Sequence, residues 1–187
     1  MSLLPVDEAI AAILKRVPEP VAETVRLAEA SGRVLLQPVT ATHDQPPFDS
    51  SAMDGYAVRA ADIVADHRLA VIGTSQAGAG FSGAVKSGEA VRIFTGAPLP
   101  PGADTVIMQE EARREGDHVS FTAAARLGHS VRPQGSDFRL GETLLVPPHR
   151  LSPLDLLAVA AANVPTVTVA RRPHLALLAT GDELVAP

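Results

Sequence analysis

The first apolar pattern in the chain has the period of an amphipathic helix. Ile10, Ile13, Leu14 and Val17 follow the spacing i, i+3, i+4, i+7, which puts their side chains on one helix face. A proline at position 5 and acidic residues at positions 7 and 8 suit a helix N-terminus. Prolines at positions 18 and 20 end the pattern. The sequence therefore predicts a helix from about residue 5 to residue 17.

A short strand and a second helix are predicted next. Residues 23–27 have the composition of a strand, and residues 27–36 suit a helix that is broken or tightened near Gly32. Pro38 closes this segment because proline cannot continue a helix.

From about residue 45 the pattern changes to short apolar runs separated by glycine turns, which is typical of strands. The predicted strands are residues 56–58, 68–72, 90–94, 105–108 and 118–121. The turn at 115–117 joins two of the runs as a hairpin. Strands at this spacing indicate a small β-barrel or sandwich.

Near residue 141 the pattern mixes strands with a helix. Residues 141–146 and 166–169 have strand patterns. Ser152 is placed to cap a helix that has Pro153 at its first position. Asn163 follows that helix, where asparagine can adopt the left-handed conformation that ends it. Residues 175–179 form a continuous apolar run, typical of a buried strand.

These segments predict a mixed α/β (α+β) chain with a discontinuous domain. Residues 1–44 and 142–174 form one α/β domain, 45–141 form a β-rich domain inserted into it, and 175–187 begin a third. A single buried parallel strand cannot satisfy its backbone without neighbours. We therefore expect a further domain after Pro187.

Composition removes several classes of function. The 187 residues are 46% hydrophobic, as in a globular protein, and include no cysteine, which excludes disulfides and thiolate chemistry. The six histidines are scattered, so no transition-metal site is expected. The net charge of −5 without a basic stripe gives no support to nucleic-acid binding. No apolar run reaches the roughly 18 residues of a membrane span, and no signal peptide is recognisable. We expect a cytoplasmic protein.

The loop at residues 46–58 carries the strongest candidate chemistry. It begins with two prolines, contains Asp49 and Asp54 with two serines between them, and turns at Asp54–Gly55. Phe48 and Tyr56 form its expected aromatic pair. No helix or strand period fits the segment, and ordered loops that present such groups tend to carry function. For Asp54 alone, a simple turn remains the alternative.

Two further turns are candidates. The Thr95–Gly96 turn offers a hydroxyl and backbone N–H groups that suit an anion, although a rigid connector explains the same Gly/Pro-rich loop. Asp137 follows a glycine turn at 132–137, where an Asx turn is the alternative.

Residues 180–183 follow the predicted buried strand at 175–179. Ligands of open α/β sheets bind beyond the carboxyl ends of the strands, and Asp182 and Glu183 carry the oxygen ligands that Mg²⁺ prefers. A helix start, with Asp182 as N-cap, is the alternative and is compatible with it.

Four segments together resemble the molybdopterin molybdenumtransferase family, the MoeA proteins and the E domain of gephyrin. They are residues 47–59 (PFDSSAMDGYAVR), 88–106 (GEAVRIFTGAPLPPGADTV) with 109–110, 135–137 (GSD) and 180–184 (TGDEL). They occur in the family's order and spacing, and the likeness covers nearly all of the chain. Ser50 and Asn163 are mild departures, where the family often has Asn and Gly.

The resemblance implies an enzyme that inserts molybdate into adenylylated molybdopterin with release of AMP and with Mg²⁺. It places the catalytic residues at Asp54, Thr95, Asp137 and Glu183. Ser51, Gly96 and Asp182 are assigned to cofactor binding, and Glu183 and Asp54 to the metal. Asp54 and Asp137 would position molybdate, a water or the metal, Thr95 would hydrogen-bond an oxyanion, and Glu183 would hold Mg²⁺ or the adenylyl phosphate.

The resemblance also implies an architecture and partners. The discontinuous α/β domain would be an elongated linker of a homodimer, and residues 175–187 the first strand of a MogA-like domain that binds molybdopterin and nucleotide. A molybdopterin adenylyltransferase is the implied protein partner. Since that domain is largely missing here, we expect the full-length protein to be the enzyme and this chain alone to lack activity. The alternative function is a non-catalytic, gephyrin-like dimeric scaffold.

Overall fold

The computed structural model describes residues 4–64, 67–122 and 126–176. The two helices are α1 (Val6–Leu14) and α2 (Pro153–Ala161). The strands are β1 (Ala22–Arg26), β2 (Val34–Leu35), β3 (Val39–Thr40), β4 (Ser50–Ser51), β5 (Gly55–Val58), β6 (Leu69–Ser75), β7 (Glu89–Ile93), β8 (Thr105–Met108), β9 (Ala112–Glu115), β10 (His118–Phe121), β11 (Val131–Arg132), β12 (Thr143–Leu145), β13 (His149–Arg150) and β14 (Thr166–Ala170). The fold is mixed α/β, as expected, and most of its elements are strands.

The described chain divides into two compact units. One takes in the described residues of 1–39, 143–160 and 164–187, and the other comprises residues 40–142 with 161–163. Compactness is not a test of independent folding, so the domain bounds drawn from the sequence stay a prediction.

The first unit contains a four-stranded sheet in the order β1-β14-β2-β13. Val167 and Val169 alternate with more exposed threonines along β14. They pack with Leu35, Leu151 and Val159 in one buried cluster. Strand alternation therefore brings one face of this sheet against α2, whose Val159 is fully buried.

The helix predicted over residues 27–36 is wrong beyond its first turn. A 3-10 helix covers Leu27–Glu29, and the chain then enters β2. The Leu36 N–H donates to the Thr168 carbonyl at 3.0 Å, so hydrogen bonds across the sheet replace those within a helix. The predicted strand at 23–27 is confirmed as β1, and the predicted first helix as α1.

Helix α1 carries its apolar stripe on an uncovered surface. Ile10, Ile13 and Leu14 are 50%, 64% and 65% exposed, and the helix has no buried residue. Such a helix gains little from packing within its own unit.

Helix α2 begins with the predicted cap, completed by a residue that the prediction left out. The Asp155 N–H donates to Ser152 Oγ at 3.2 Å, and the Ser152 N–H donates to Asp155 Oδ2 at 2.7 Å. Two helix-end donors are thereby satisfied reciprocally, as in a capping box. At the other end Asn163 has φ of 56°, the expected left-handed conformation.

The cap predicts a stability effect that depends on pH. Hydrogen bonds from Ser152 and then from His149 lower the pKa of Asp155 to about 2 from 3.8. A lowered pKa stabilises the fold above the unfolded value, and this contribution is lost as pH falls from about 4 to about 2. We expect Ser152→Ala to lower the free energy of unfolding by about 1 kcal/mol at pH 7 and by less at pH 2. Urea unfolding followed by circular dichroism measures both, with Ser31→Ala on the exposed surface as control; an equal loss at both pH values contradicts the prediction.

The second unit is built on a six-stranded sheet in the order β8-β5-β7-β6-β10-β9. Only β6 and β7 run parallel. The predicted hairpin is confirmed, with His118 opposite Glu115. Among the described residues the ladder does not close from β9 to β8, so the sheet is a curled half-barrel and the closed barrel is not found.

Both faces of this sheet are buried at β5 and β8, which explains the continuous apolar run of β8. Tyr56 and Val58 of β5 point into one cluster with Ile107, while Ala57 and Val106 belong to a second. Alternate residues of one strand therefore serve two different cores.

Candidate active site

Three of the four motif segments meet in the second unit. The Ser51 N–H donates to the Ala97 carbonyl at 3.0 Å, and the Ala52 N–H donates to the Ser130 carbonyl at 2.9 Å. Strand β11 pairs with β4, with Val131 opposite Ser51. Backbone hydrogen bonds thus hold the loop before β5, the turn after β7 and the segment around β11 together.

Asp54 and Thr95 form the centre of this meeting point. Asp54 Oδ1 accepts hydrogen bonds from the Thr95 N–H and from Thr95 Oγ1, both at 2.8 Å. The Asp54 carbonyl accepts the Gln109 N–H at 3.0 Å. The carboxylate is therefore fixed in direction, and its Oδ2 accepts no hydrogen bond within the described part of the chain.

The surroundings of Asp54 keep it ionised. The Thr95 N–H and then the Thr95 hydroxyl lower the pKa of Asp54, burial opposes them less strongly, and the nearby Arg92 guanidinium adds a still smaller lowering. Hydrogen bonds to the charged form of a carboxyl favour that form. At neutral pH the site therefore presents a fixed negative charge.

The donors of the Thr95–Gly96 turn are already engaged. The Thr95 N–H and hydroxyl serve Asp54, and the Gly96 N–H donates to the Ser51 carbonyl at 2.9 Å. The prediction that this turn offers accessible N–H groups is wrong, because those groups are hydrogen-bonded within the protein. The connector interpretation accounts for the Gly96 N–H, while a cofactor-binding role for Gly96 stays a prediction.

The Ser51 side chain is hydrogen-bonded within the loop that leads to Asp54. Its hydroxyl donates to the Met53 carbonyl at 2.6 Å and lies 3.3 Å from the Met53 N–H. Ser51 is 2% exposed, so in this conformation its side chain organises the loop. Its assignment to cofactor binding remains untested.

Asp137 is paired with a residue that the sequence analysis did not single out. Both of its carboxylate oxygens accept from Arg132 Nη2 at 2.5 Å, and its N–H donates to the Gln45 carbonyl at 2.8 Å. About half of each side chain is exposed, 49% for Arg132 and 40% for Asp137. Within the described ranges no hydrogen bond joins Asp137 to Asp54 or Thr95, so the pair forms a separate, charge-compensated part of the site.

Hydrogen bonds to the carboxylates of Asp44 and Asp49 fix the loop that carries Asp137. Asp44 Oδ2 accepts from Gln134 Nε2, and Asp49 Oδ1 accepts from the Gln134 N–H, both at 2.8 Å. Asp44 Oδ1 also accepts the Leu140 N–H at 2.8 Å. Asp49 therefore has a positioning role.

The predicted pairing of Phe48 with Tyr56 is wrong. Tyr56 is 5% exposed and its ring packs edge-on against Phe121, 5.9 Å between centroids, while Phe48 is 40% exposed. The reason is that Tyr56 lies in β5, an interior strand of the sheet that confirms the strand predicted at 56–58, whereas Phe48 lies in the loop before it. Arg92, which was also left out of the predicted site, lies over the Tyr56 ring. An arginine within the apolar run of β7 was the sequence feature that could have pointed to it.

Two predicted site residues, Asp182 and Glu183, lie outside the described residues, as does most of the predicted strand at 175–179. Within the described ranges there is no group of three or more His, Cys, Asp and Glu placed to hold a metal ion. No helix in those ranges is long and apolar enough to cross a membrane.

Comparison with known proteins agrees with the motifs. Residues 4–163 match the family described as the MoeA N-terminal region (domain I and II). A molybdopterin molybdenumtransferase of Nostoc sp. (strain PCC 7120) is 40% identical over 168 residues, which are 87% of this chain and 38% of that protein. A molybdopterin molybdenumtransferase of Haemophilus influenzae is 36% identical over 98% of this chain and 46% of its own length.

The fold agrees as well. The crystal structure of the molybdopterin biosynthesis moeA protein from Pyrococcus horikoshii OT3 superposes with a TM-score of 0.85 at 36% identity, over 92% of this chain and 47% of that one. The chain thus spans less than half the length of these relatives. With its family match, its relatives and its fold in agreement, the chain belongs to the MoeA N-terminal region family.

Proposed function

We propose that the full-length protein containing this chain is a molybdopterin molybdenumtransferase, which inserts molybdate into adenylylated molybdopterin and releases AMP. The observation that carries the proposal is the Asp54–Thr95 pair. Two family motifs that are distant in the sequence supply a carboxylate and both hydrogen bonds that fix it. The names of the relatives support the same reaction.

Charge decides between the roles open to Asp54. Molybdate is a dianion, and an ionised carboxylate repels it at short range. A lowered pKa also makes Asp54 a weak proton acceptor near neutral pH. Its role is therefore to hold a water or a cation through Oδ2. The Arg132 guanidinium carries positive charge and is 49% exposed beside Asp137, so it is a better neighbour for molybdate than Asp54.

The Thr95 hydroxyl has its proton directed at Asp54. Its contribution in this geometry is to hold Asp54, rather than to donate to an oxyanion as first expected. Glu183 keeps its proposed role at Mg²⁺ or the adenylyl phosphate.

The Asp54 carboxylate fits the proposed Mg²⁺. Sites for this ion use one or two carboxylates together with substrate phosphates, and Asp54 presents one oxygen without a hydrogen bond in the described residues. By family resemblance, Asp54 and Glu183 are the proposed ligands of the ion, and Asp182 keeps its proposed role in cofactor binding. When bound, Mg²⁺ would neutralise phosphate charge as AMP leaves.

The proposal includes the architecture and partners of the family. The unit that contains α1 would be the elongated linker of a cytoplasmic homodimer, and residues 175–187 would begin a MogA-like domain. The uncovered apolar stripe of α1 supports a second copy of the chain as its partner. A molybdopterin adenylyltransferase would supply the adenylylated substrate.

The reaction itself tests the proposal. We expect the full-length protein, given adenylylated molybdopterin and Mg²⁺, to release AMP when molybdate is added, with AMP quantified by chromatography. Sulfate, a tetrahedral dianion of the same charge, is the matched control and should release no AMP above the level without molybdate. Equal AMP release with and without molybdate would contradict the proposed reaction.

A further inference from the structure

Arg92 of β7 contacts residues next to Asp54 and next to Thr95. Arg92 Nη1 donates to the Gly55 carbonyl at 2.7 Å, and Nη2 donates to Gln109 Oε1 at 2.5 Å. Gly55 follows Asp54 in the chain, and the Gln109 N–H donates to the Asp54 carbonyl. The guanidinium therefore holds two of the groups that define the position of Asp54.

The same guanidinium lies against two aromatic rings. Its central carbon is 4.6 Å from the centroid of Phe94 and 5.3 Å from that of Tyr56. Phe94 precedes Thr95, and Tyr56 is the cross-strand partner of Arg92 in the β5–β7 ladder. A cation over an aromatic face is attracted by it, so Arg92 also fixes the start of the turn that carries Thr95.

These contacts need the shape of arginine as well as its charge. A planar guanidinium can stack on a ring while its N–H groups donate in the plane to two acceptors, which the compact ammonium of lysine cannot reproduce. Strand pairing alone requires neither contact, because the side chain of residue 92 takes no part in the backbone ladder.

We propose that Arg92 is a positioning residue of the candidate active site: by holding Gly55, Gln109 and Phe94, it keeps the Asp54 carboxylate hydrogen-bonded to Thr95. The part of this inference that concerns catalysis rests on the proposed function. The positioning of Asp54 by Arg92 does not rest on it, so an experiment can contradict either part without contradicting the other.

Amide hydrogen exchange of this chain, followed by NMR, tests the positioning. In Arg92→Lys we expect the Thr95 and Gln109 N–H groups to exchange at least about 10-fold faster, since both donate to Asp54. The Val71 N–H, bonded to the Asp117 carbonyl in the same sheet, should keep its rate. Arg113→Lys, an exposed arginine of β9, is the matched control and should leave all three rates unchanged.

Two further variants keep the test decisive. Phe94→Leu removes one ring under the guanidinium and should accelerate the same two amides, even where Arg92→Lys folds poorly. In an Asp54→Ala background, Arg92→Lys should add little to the exchange rate of Thr95, because the hydrogen bond that Arg92 supports is already absent. Unchanged exchange at Thr95 and Gln109 in both Arg92→Lys and Phe94→Leu would overturn the inference.

Activity of the full-length protein separates this inference from the proposed function. We expect Arg92→Lys to lower kcat for molybdate-dependent AMP release at least about 10-fold, with KM for adenylylated molybdopterin within about two-fold of wild type. If wild type releases no AMP while the exchange result holds, the proposed function fails and the positioning stands. If wild type is active and kcat of the variant is unchanged, the catalytic part of the inference is wrong.

Discussion

Asp54→Asn in the full-length protein is expected to lower kcat for molybdate-dependent AMP release by at least about 100-fold, the scale on which a site loses a fixed electrostatic group. Asparagine keeps an oxygen that can accept the two Thr95 hydrogen bonds. It replaces Oδ2 by an NH₂ group, which cannot bind a cation or accept a proton. The fold should therefore survive while the charge at the site is lost.

The control for this variant is Asp117→Asn, at an exposed turn of the same unit. It removes the same formal charge away from the site and should leave kcat within about two-fold. Full activity of Asp54→Asn would contradict the proposed role. If Asp54→Asn kept molybdoenzyme activity in cells but lost a protein partner, the scaffold alternative would be favoured.

Gly55→Ala is expected to destabilise the second unit by about 3 kcal/mol or more, since a fixed backbone cannot relax around an added methyl group as a side chain can. A Cβ atom at residue 55 would lie 1.9 Å from the carbonyl oxygen of Ile107 in the neighbouring strand. Gly55 is central in the sheet, opposite Ile93 on one side and Met108 on the other. Separating the strands would break hydrogen bonds on both sides.

Urea unfolding, followed by NMR signals of β5 and β7, measures this effect. Gly116→Ala is the matched control, because Gly116 has φ of 60° and no atom near an added Cβ. It isolates the cost of a left-handed backbone for a residue with a side chain, roughly 1–2 kcal/mol. A smaller loss for Gly55→Ala than for Gly116→Ala would show that the sheet accommodates the methyl group.

The long strands and α2 could be predicted because their signals are local. Residues 105–108 are a mostly apolar run, residues 118–121 alternate polar and apolar side chains beside a turn, and the Ser152–Pro153 cap lies within one helical turn. The two-residue strands, β4 and β11 among them, have no period to detect. Their pairing depends on a partner about 80 residues away in the sequence.

The candidate site likewise has a part that could be predicted from the sequence and a part that could not. The motif around Asp54 and the Thr95 turn were found from sequence, since family likeness preserves residue order. That both donors of Thr95 serve Asp54 could not be predicted, because the contact spans 41 residues. Arg92 was missed because a charged residue in a strand is typical of a solvent-facing position. Only the β5–β7 register, which sets it opposite Tyr56, gives it two aromatic neighbours and two acceptors.

The burial of Tyr56 beside Arg92 has an optical consequence. The chain contains one tyrosine and no tryptophan, so, with excitation at wavelengths that its five phenylalanines do not absorb, its emission arises from this single ring. The ring is two residues from Asp54 and 5.3 Å from the Arg92 guanidinium carbon. Changes at the site can therefore be followed by intrinsic tyrosine fluorescence without a label. The unit that contains α1 and α2 contributes no such signal, because it has no tyrosine or tryptophan.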